Sequence, residues 1–335
     1  MTKFQVIVLG LILMMLAAAP VHADGPTPTP EPTAEQYYEQ GILYLTLGHE
    51  SESAEHLERA IELLSQAIEL DPEFADAYSA RGEAYFFYGD NESAIADFNR
   101  MLELEPDNPL PYFDRAQAYR AMNENEQALE DYTQSLELNT GDDAELLYNT
   151  LSGRGLLYAR MGNLDDALVD FDAVIELNPT VPDSYFNRAG VYYERGEYDL
   201  ALDDYNHLLE LDPDYVQAYV TRGTIFLAQG DEEQALVEFG EAIDRDPTYL
   251  PAYYQRGELY YQQENYENAI ADFSAIIDQA PDTWEAYLYR GMAYGQDGDF
   301  EQLLADLQMY ADLAGEEADP EILDAIAELE AALGS

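Results

Sequence analysis

Residues Val216–Tyr249 read VQAYVTRGTIFLAQGDEEQALVEFGEAIDRDPTY, and this stretch decides the fold. Two apolar-periodic runs, Val216–Ala228 and Gln234–Ile243, flank Gln229-Gly230-Asp231. Both carry the i, i+3, i+4 spacing of a helix that buries one face. Tyr219, Gly223 and Phe226 share that face in the first run; Ala235, Phe239 and Ala242 share it in the second. Gly230 can take the left-handed conformation that ends a helix. Asp231 can then accept a bond from the free N–H groups that open the next one. Asp246-Pro247 stops the second run, because proline disfavours helical geometry in the residue before it. Gly223 and Ala235 let two antiparallel helices approach closely, while Tyr219 and Phe226 fill the space on either side. The product is a helical hairpin with apolar surface at both ends, stable only in a stack.

A step of thirty-four residues lands on the same pattern in Leu250–Thr283, Pro182–Tyr215, Tyr148–Val181 and Ala75–Asn108. A fixed period in this range is the mark of stacked repeats. The six key positions read Tyr219, Gly223, Phe226, Ala235, Phe239 and Pro247, and recur as Tyr78, Gly82, Tyr85, Ala94, Phe98 and Pro106. They recur again as Tyr185, Ala189, Tyr192, Ala201, Tyr205 and Pro213, and as Tyr253, Gly257, Tyr260, Ala269, Phe273 and Pro281. On these residues the unit resembles a tetratricopeptide repeat. The resemblance implies an all-α, right-handed α-solenoid of about eight helical hairpins with a C-terminal capping helix. The repeats are expected over about 34–74, 75–108, 109–142, 148–181, 182–215, 216–249, 250–283 and 284–315, and the cap over 319–333.

Composition sets the outer limits. A chain of 335 residues is long for one compact core, but a solenoid grows in one dimension. Without cysteine, neither disulfides nor thiolate metal sites are available. Met1–Ala23 reads as a secretory signal: Lys3, the apolar run Val6–Leu16, and small residues at Val21-His22-Ala23. The competing reading is an uncleaved anchor, for which the run is short. Asp24–Thr33, DGPTPTPEPT, is an extended Pro/Thr linker. An extracytoplasmic location, whether periplasmic, cell-envelope or secreted, follows from the signal, with no stable membrane span after its cleavage.

Several stretches depart from the period. Repeat one carries seven extra residues within His49–Arg59, close to two helical turns, expected to lengthen its second helix without rotating the apolar face. His49 and His56 would then share one face, a poor metal site at that spacing. Thr140 replaces the terminal proline of repeat three and the next repeat starts five residues late. Asn139–Asp143 is therefore expected to form a longer loop or to lengthen the following helix, and to be the place for a hinge or subdomain boundary. Repeat eight substitutes Leu303 and Leu307 for the later Ala and Phe. Asp319-Pro320 then opens a last helix with the apolar stripe Ile322, Leu323, Ile326 and Leu329, read as a cap or alternatively as a dimerisation helix. Asn91-Glu92-Ser93 matches a glycosylation sequon, but Asn91 sits where a helix cap belongs.

Two constellations bear on function. Arg81, Arg115, Arg154, Arg188, Arg222, Arg256 and Arg290 occupy equivalent positions, half of the 14 basic residues on one row. Asp97, Asp131, Asp170, Asp204, Glu238, Asp272 and Asp306 form an answering row on the second helices. Antiparallel pairing puts the two rows at similar height, so the expected role is bidentate bridging within hairpins rather than anion binding. The second constellation follows from the resemblance, which implies that first helices line a concave groove. Carried onto this chain, the groove residues are Tyr38, Phe86, Phe87, Phe113, Arg120, Arg160, Phe186, Tyr193, Tyr254 and Tyr261, with Asp76, Glu83, Asp183 and Glu258 among them. The Lys/Asn pattern by which some family members clamp a terminal carboxylate is missing. Aromatic side chains are typical contact anchors; the competing reading has about half of them packing inward between repeats.

A formal charge of −55 repels nucleic acid and acidic membranes, and attracts basic partners or, weakly, divalent cations. No nucleophile with a paired base, phosphate loop or metal cluster is legible, so no enzyme, no cofactor and no metal site is expected. The sequence reads as an exported scaffold that binds a basic protein or peptide in an aromatic, acidic groove. The alternative is an acidic envelope or matrix protein that assembles with itself or with cations.

Overall fold

Helix ends fall where the turn chemistry puts them. Gly230 turns left-handed at φ 81°, closing one helix, and the Asp231 carboxylate accepts from the Gln234 N–H to open the next. This computed structural model describes residues 31–51, 53–141 and 143–334. The expected signal and the linker as far as residue 30 lie outside the described residues.

The chain divides into two compact units, Met1–Glu105 and Pro106–Ser335. The described part of the first unit is two hairpins: α1 (Ala34–Ser51) with α2 (Ala54–Leu70), and α3 (Ala75–Tyr88) with α4 (Asn91–Leu104). The second holds six: α5 (Leu110–Ala121) with α6 (Asn125–Leu138), α7 (Ala144–Arg160) with α8 (Leu164–Leu177), α9 (Pro182–Glu194) with α10 (Tyr198–Leu211), α11 (Val216–Gln229) with α12 (Glu232–Arg245), α13 (Leu250–Gln262) with α14 (Tyr266–Gln279), and α15 (Trp284–Asp297) with α16 (Phe300–Ala314). A short 3-10 turn, Gly315–Glu317, leads to α17 (Pro320–Leu333). Among the described residues there is no strand, and in each unit the helices follow one another as a stack, as the period requires.

Close approach within a hairpin depends on the small residue of its first helix. A Cβ added at Gly223 would lie 2.5 Å from the Phe239 ring, and one at Gly82 2.5 Å from Phe98. Both rings are almost fully buried. Neighbouring hairpins are joined by the first signature aromatic, whose hydroxyl reaches back to the preceding stop signal. Tyr185 donates to the Pro179 carbonyl and Tyr219 to that of Pro213, both at 3.1 Å. This bond explains tyrosine at the position, since phenylalanine would leave that carbonyl without this donor.

Four expectations are corrected. The extra residues of repeat one lengthen both helices, with a break near Ser53, so His49 lies in the last turn of α1 and His56 on α2, and the two share no helix face. Asp90, not Asn91, caps α4: its carboxylate accepts from the Ser93 N–H at 3.1 Å, because the cap follows the left-handed Gly89 directly, as Asp231 follows Gly230. The division into units falls at Glu105/Pro106 instead of 139–143. Asn139 braces the latter loop by donating to the Asp143 carbonyl at 2.8 Å and accepting from the Gly141 N–H, and the late residues lengthen α7 to 17 residues. Leu323 is 43% exposed and falls outside the stripe of α17, which buries Ile326 and packs Ile322 against the core around Tyr310.

Candidate functional site

The arginine row sits on the first helices of hairpins two to eight, one residue before each Gly or Ala. Arg81 donates from Nε and Nη2 to the two oxygens of Asp97, each at 2.7 Å. The same fork forms from Arg115 to Asp131, Arg154 to Asp170, Arg188 to Asp204, Arg256 to Asp272 and Arg290 to Asp306, at 2.6–2.9 Å. All of these carboxylates are buried. Their hydrogen bonds hold Arg188, Arg256 and Arg290 above the usual arginine range. At Arg222 the acid is Glu238, and its extra methylene changes the rung. One bond of 2.7 Å forms from Nη2, while Arg222 Nε and Glu238 Oε2 are buried without a partner.

A third arm of the guanidinium reaches the preceding hairpin. Nη1 of Arg81 donates to Ser65, that of Arg154 to Thr133, that of Arg188 to Asp172 and that of Arg290 to Ser274, at 2.6–3.2 Å. Each such arginine therefore joins three helices. Signature tyrosines at i−3 and i+4 flank it: Tyr78 and Tyr85 lie 5.7 and 5.9 Å from the Arg81 guanidinium, within cation–π range. With a carboxylate on its fork, such a guanidinium has little charge left for an outside anion. The sequence reading missed the third arm, although polar residues sixteen positions before three of these arginines (Ser65, Asp172, Ser274) were there to be read; Thr133 stands twenty-one before Arg154, across the five-residue insertion.

The groove set divides by environment. Phe113 packs on Tyr132, and Phe186 on Tyr205 and Tyr215 at 5.6 and 5.3 Å. Tyr254 meets Phe273 and, at 5.3 Å, Tyr289; burial and the hydrogen bond to Tyr289 push its hydroxyl well above the usual range. These three rings are half-buried parts of the packing between hairpins. Tyr193 and Tyr261 are less committed, each lying 5.7 Å from a tyrosine at the start of its partner helix, Tyr198 and Tyr266. In the first unit Tyr38 packs on Phe74 at 4.9 Å, and Phe86 lies 5.5 Å from the exposed Phe87. Tyr215 and Tyr289 belong to these ring clusters and were missed, because they lie outside the positions adjacent to the family core.

Charge on these faces is mixed. Asp183 accepts from the Tyr215 hydroxyl at 2.9 Å. Burial pushes Glu83 above the usual carboxylate range, opposed by His49. Arg120 and Arg160 bond to the amide oxygens of Gln117 and Asn125, at 3.2 and 2.7 Å, and meet no carboxylate among the described residues. Every other arginine pairs with an acid. The second unit thus keeps a small positive spot on an otherwise acidic chain.

Comparison with known proteins matches single hairpins in three stretches and runs across hairpin boundaries in the others. Models described as "Tetratricopeptide repeat" match residues 75–108, 111–142, 148–181 and 226–293, and one described as "TPR repeat" matches 54–86 and 189–230. The chain belongs to the tetratricopeptide repeat family. Similar tetratricopeptide repeat architectures are found among solved structures. The C-terminal part of a repeat protein from Cytophaga hutchinsonii aligns at a TM-score of 0.60 and 16% identity, over 74% of this chain and 97% of that one. A repeat protein from Parabacteroides merdae aligns at 0.55 and 21%, over 76% and 98%. PilF of Pseudomonas aeruginosa aligns at 0.54 and 18%, over 66% and 99%. At these identities the likeness is one of fold. A search of curated proteins finds no match. Among the described residues no helix is long and apolar enough to cross a membrane, and no three His, Asp or Glu side chains gather as a metal site.

Proposed function

We propose that the chain is an exported, non-catalytic tetratricopeptide repeat scaffold that holds a protein or peptide partner against the aromatic faces of its first helices. One observation carries this reading. The arginine row is occupied by carboxylates inside the hairpins, whereas the neighbouring first-helix positions present aromatic rings that remain partly open, notably Tyr193 and Tyr261. Open rings on rigid helices bury much area at small rotamer cost, which suits them as anchors. The charge of −55 favours a basic partner. Arg120 and Arg160 add a place where that partner's occasional acidic side chain can sit.

The test is chemical crosslinking in the native envelope followed by mass spectrometry, with Tyr193→Ser/Tyr261→Ser beside the wild type. Loss of a specific partner at unchanged melting temperature supports the scaffold; identical capture by both proteins refutes the aromatic assignment. The same charge favours a second reading, an acidic matrix protein that assembles through cations. Light scattering with and without calcium separates the two: growth of particles on calcium addition, abolished by chelation, is the matrix result.

A further inference from the structure

The one irregular hairpin lines the cavity beside its turn with Leu57, Phe87 and Tyr88, where the corresponding cavity beside the turn of hairpin five is lined by Gly196, Glu197, Tyr198, Asp199, Leu200 and Gln229. Gly48 of α1 is equivalent to Gly89, which ends α3 in the left-handed conformation. In α1 the helix runs on through His49 to Ser51, and α2 begins at Ala54. The overhang leans on the end of α3, with the His49 ring 4.8 Å from Phe87. Between them lies a cavity of about 310 Å³ lined by Gly48, His49, Ala54, Leu57, Phe87 and Tyr88. That is the small end of the range for ligand sites, room for one or two side chains rather than a cofactor.

A second peculiarity coincides with the first. Phe87 and Tyr88 are each 45% exposed, an unusual state for two adjacent aromatics. The equivalent pairs in later repeats are Ala121-Met122, Arg160-Met161, Glu194-Arg195, Ala228-Gln229, Gln262-Gln263 and Gln296-Asp297, none of them aromatic. At this position of the repeat, among the described residues, an exposed aromatic pair stands only beside the overhang, so the general packing of hairpins does not account for it.

Charge identifies the occupant. Glu83 lies one turn before Phe87 on the same face of α3, within the influence of His49. Its carboxylate is partly buried and makes no hydrogen bond or ion pair among the described residues. Glu58 accepts from the Tyr88 hydroxyl at 2.8 Å, and the nearby Arg59 is already paired with Glu62. A desolvated carboxylate without a counter-charge is unfavourable, and a cation brought by a ligand relieves it.

We propose that this cavity is a second docking site, distinct from the aromatic faces of the second unit. It takes one large apolar side chain of a polypeptide whose neighbouring residues are lysine or arginine. The apolar side chain enters between Leu57 and Phe87 while a flanking cation meets Glu83. The proposal does not depend on the reading given above for Tyr193 and Tyr261.

The probe is a short fluorescein-labelled peptide with a single Leu-Trp between Lys-Lys pairs, titrated with the full chain and followed by anisotropy. Saturable binding is expected, weakened about tenfold by Phe87→Ser, as for loss of one aromatic anchor. Ala54→Trp, at an exposed position on the rim, is expected to abolish binding by filling the cavity. Tyr193→Ser/Tyr261→Ser is expected to leave the probe's affinity unchanged. A probe with glutamate for lysine, or serine for Leu-Trp, should bind at least tenfold more weakly. Absence of saturable binding, equal affinity for the glutamate probe, or indifference to both Phe87→Ser and Ala54→Trp would overturn the site. Loss of binding only in the Tyr193/Tyr261 variant would transfer the peptide to the other face.

Discussion

At Glu264 the backbone is left-handed, φ 59°, in the turn between α13 and α14. Glycine holds that place in five of the hairpins, at Gly89, Gly162, Gly196, Gly230 and Gly298, and asparagine holds it at Asn123. A side chain with a Cβ costs about 1–2 kcal/mol in this conformation, more than glycine's extra entropy in the unfolded chain. Glu264→Gly is therefore expected to stabilise the second unit by about 0.5–1 kcal/mol, read as an upward shift in the denaturant midpoint; a downward shift would refute the strain argument. Glu238 poses a similar single-residue question. Six aspartates at the same separation from their arginines make both bonds, and Glu238 makes one, leaving Nε of Arg222 and its own Oε2 buried without partners. Each unmet buried group costs about 1–3 kcal/mol, against roughly 1 kcal/mol for one lost methylene. Glu238→Asp should restore the fork and raise the melting temperature by about 2 °C or more, whereas a fall would show that the glutamate stem is needed for packing.

The helical hairpin is the scale at which the arginine row acts. Arg188 joins α9 to Asp204 on α10 and to Asp172 on α8, so its removal loosens one hairpin and its seam with the one before. Truncation of one partner of a buried pair costs about 3–5 kcal/mol. Arg188→Ala is expected to fall in that range, and Arg222→Ala well below it, because the single rung there leaves Glu238 still bonded to Gln234 at 3.0 Å. Equal losses, measured by urea unfolding, would mean that the forks contribute less than their geometry implies. Hairpins, turns and the two charged rows were legible because each is repeated every thirty-four residues, so one good reading could be checked in the next copy. The overhang of α1 and the exposed Leu323 lie where the period is broken or ends, and there no second copy corrects the reading, whereas the Asp90 cap could have been read from its copy Asp231. The groove set was the least legible. Whether Tyr254 opens outward or packs on Tyr289 depends on what the next hairpin offers, and a residue's place in its own helix does not record that.

Across the whole chain, charge sets how stability responds to its medium. With 69 acidic residues against 14 basic ones, the folded protein holds repelling carboxylates closer together than the unfolded chain does. Binding protons relieves that repulsion, so the folded state gains more from acidification. Glu83 acts in the same direction. Burial raises its folded pKa above the ordinary carboxylate value, so between the two the folded state binds more proton than the unfolded. Stability must then fall as pH rises through that window. Asp246 has the opposite sign: hydrogen bonds from Thr248 lower its pKa, and its contribution is lost only as pH falls through that lower folded value, below about 3.8. The raised arginines of the ladder keep their contribution until pH climbs beyond the arginine range, so they are silent between pH 5 and 8. The net expectation is a melting temperature about 5 °C higher at pH 5 than at pH 8 in low salt. The gap should narrow in 0.5 M sodium chloride, where exposed charges are screened over a few ångströms and the buried forks are not. Calorimetry at matched ionic strength decides it: a melting temperature that falls on acidification from pH 8 to 5 would mean that carboxylates engaged in native bonds outweigh the repulsion among all the others.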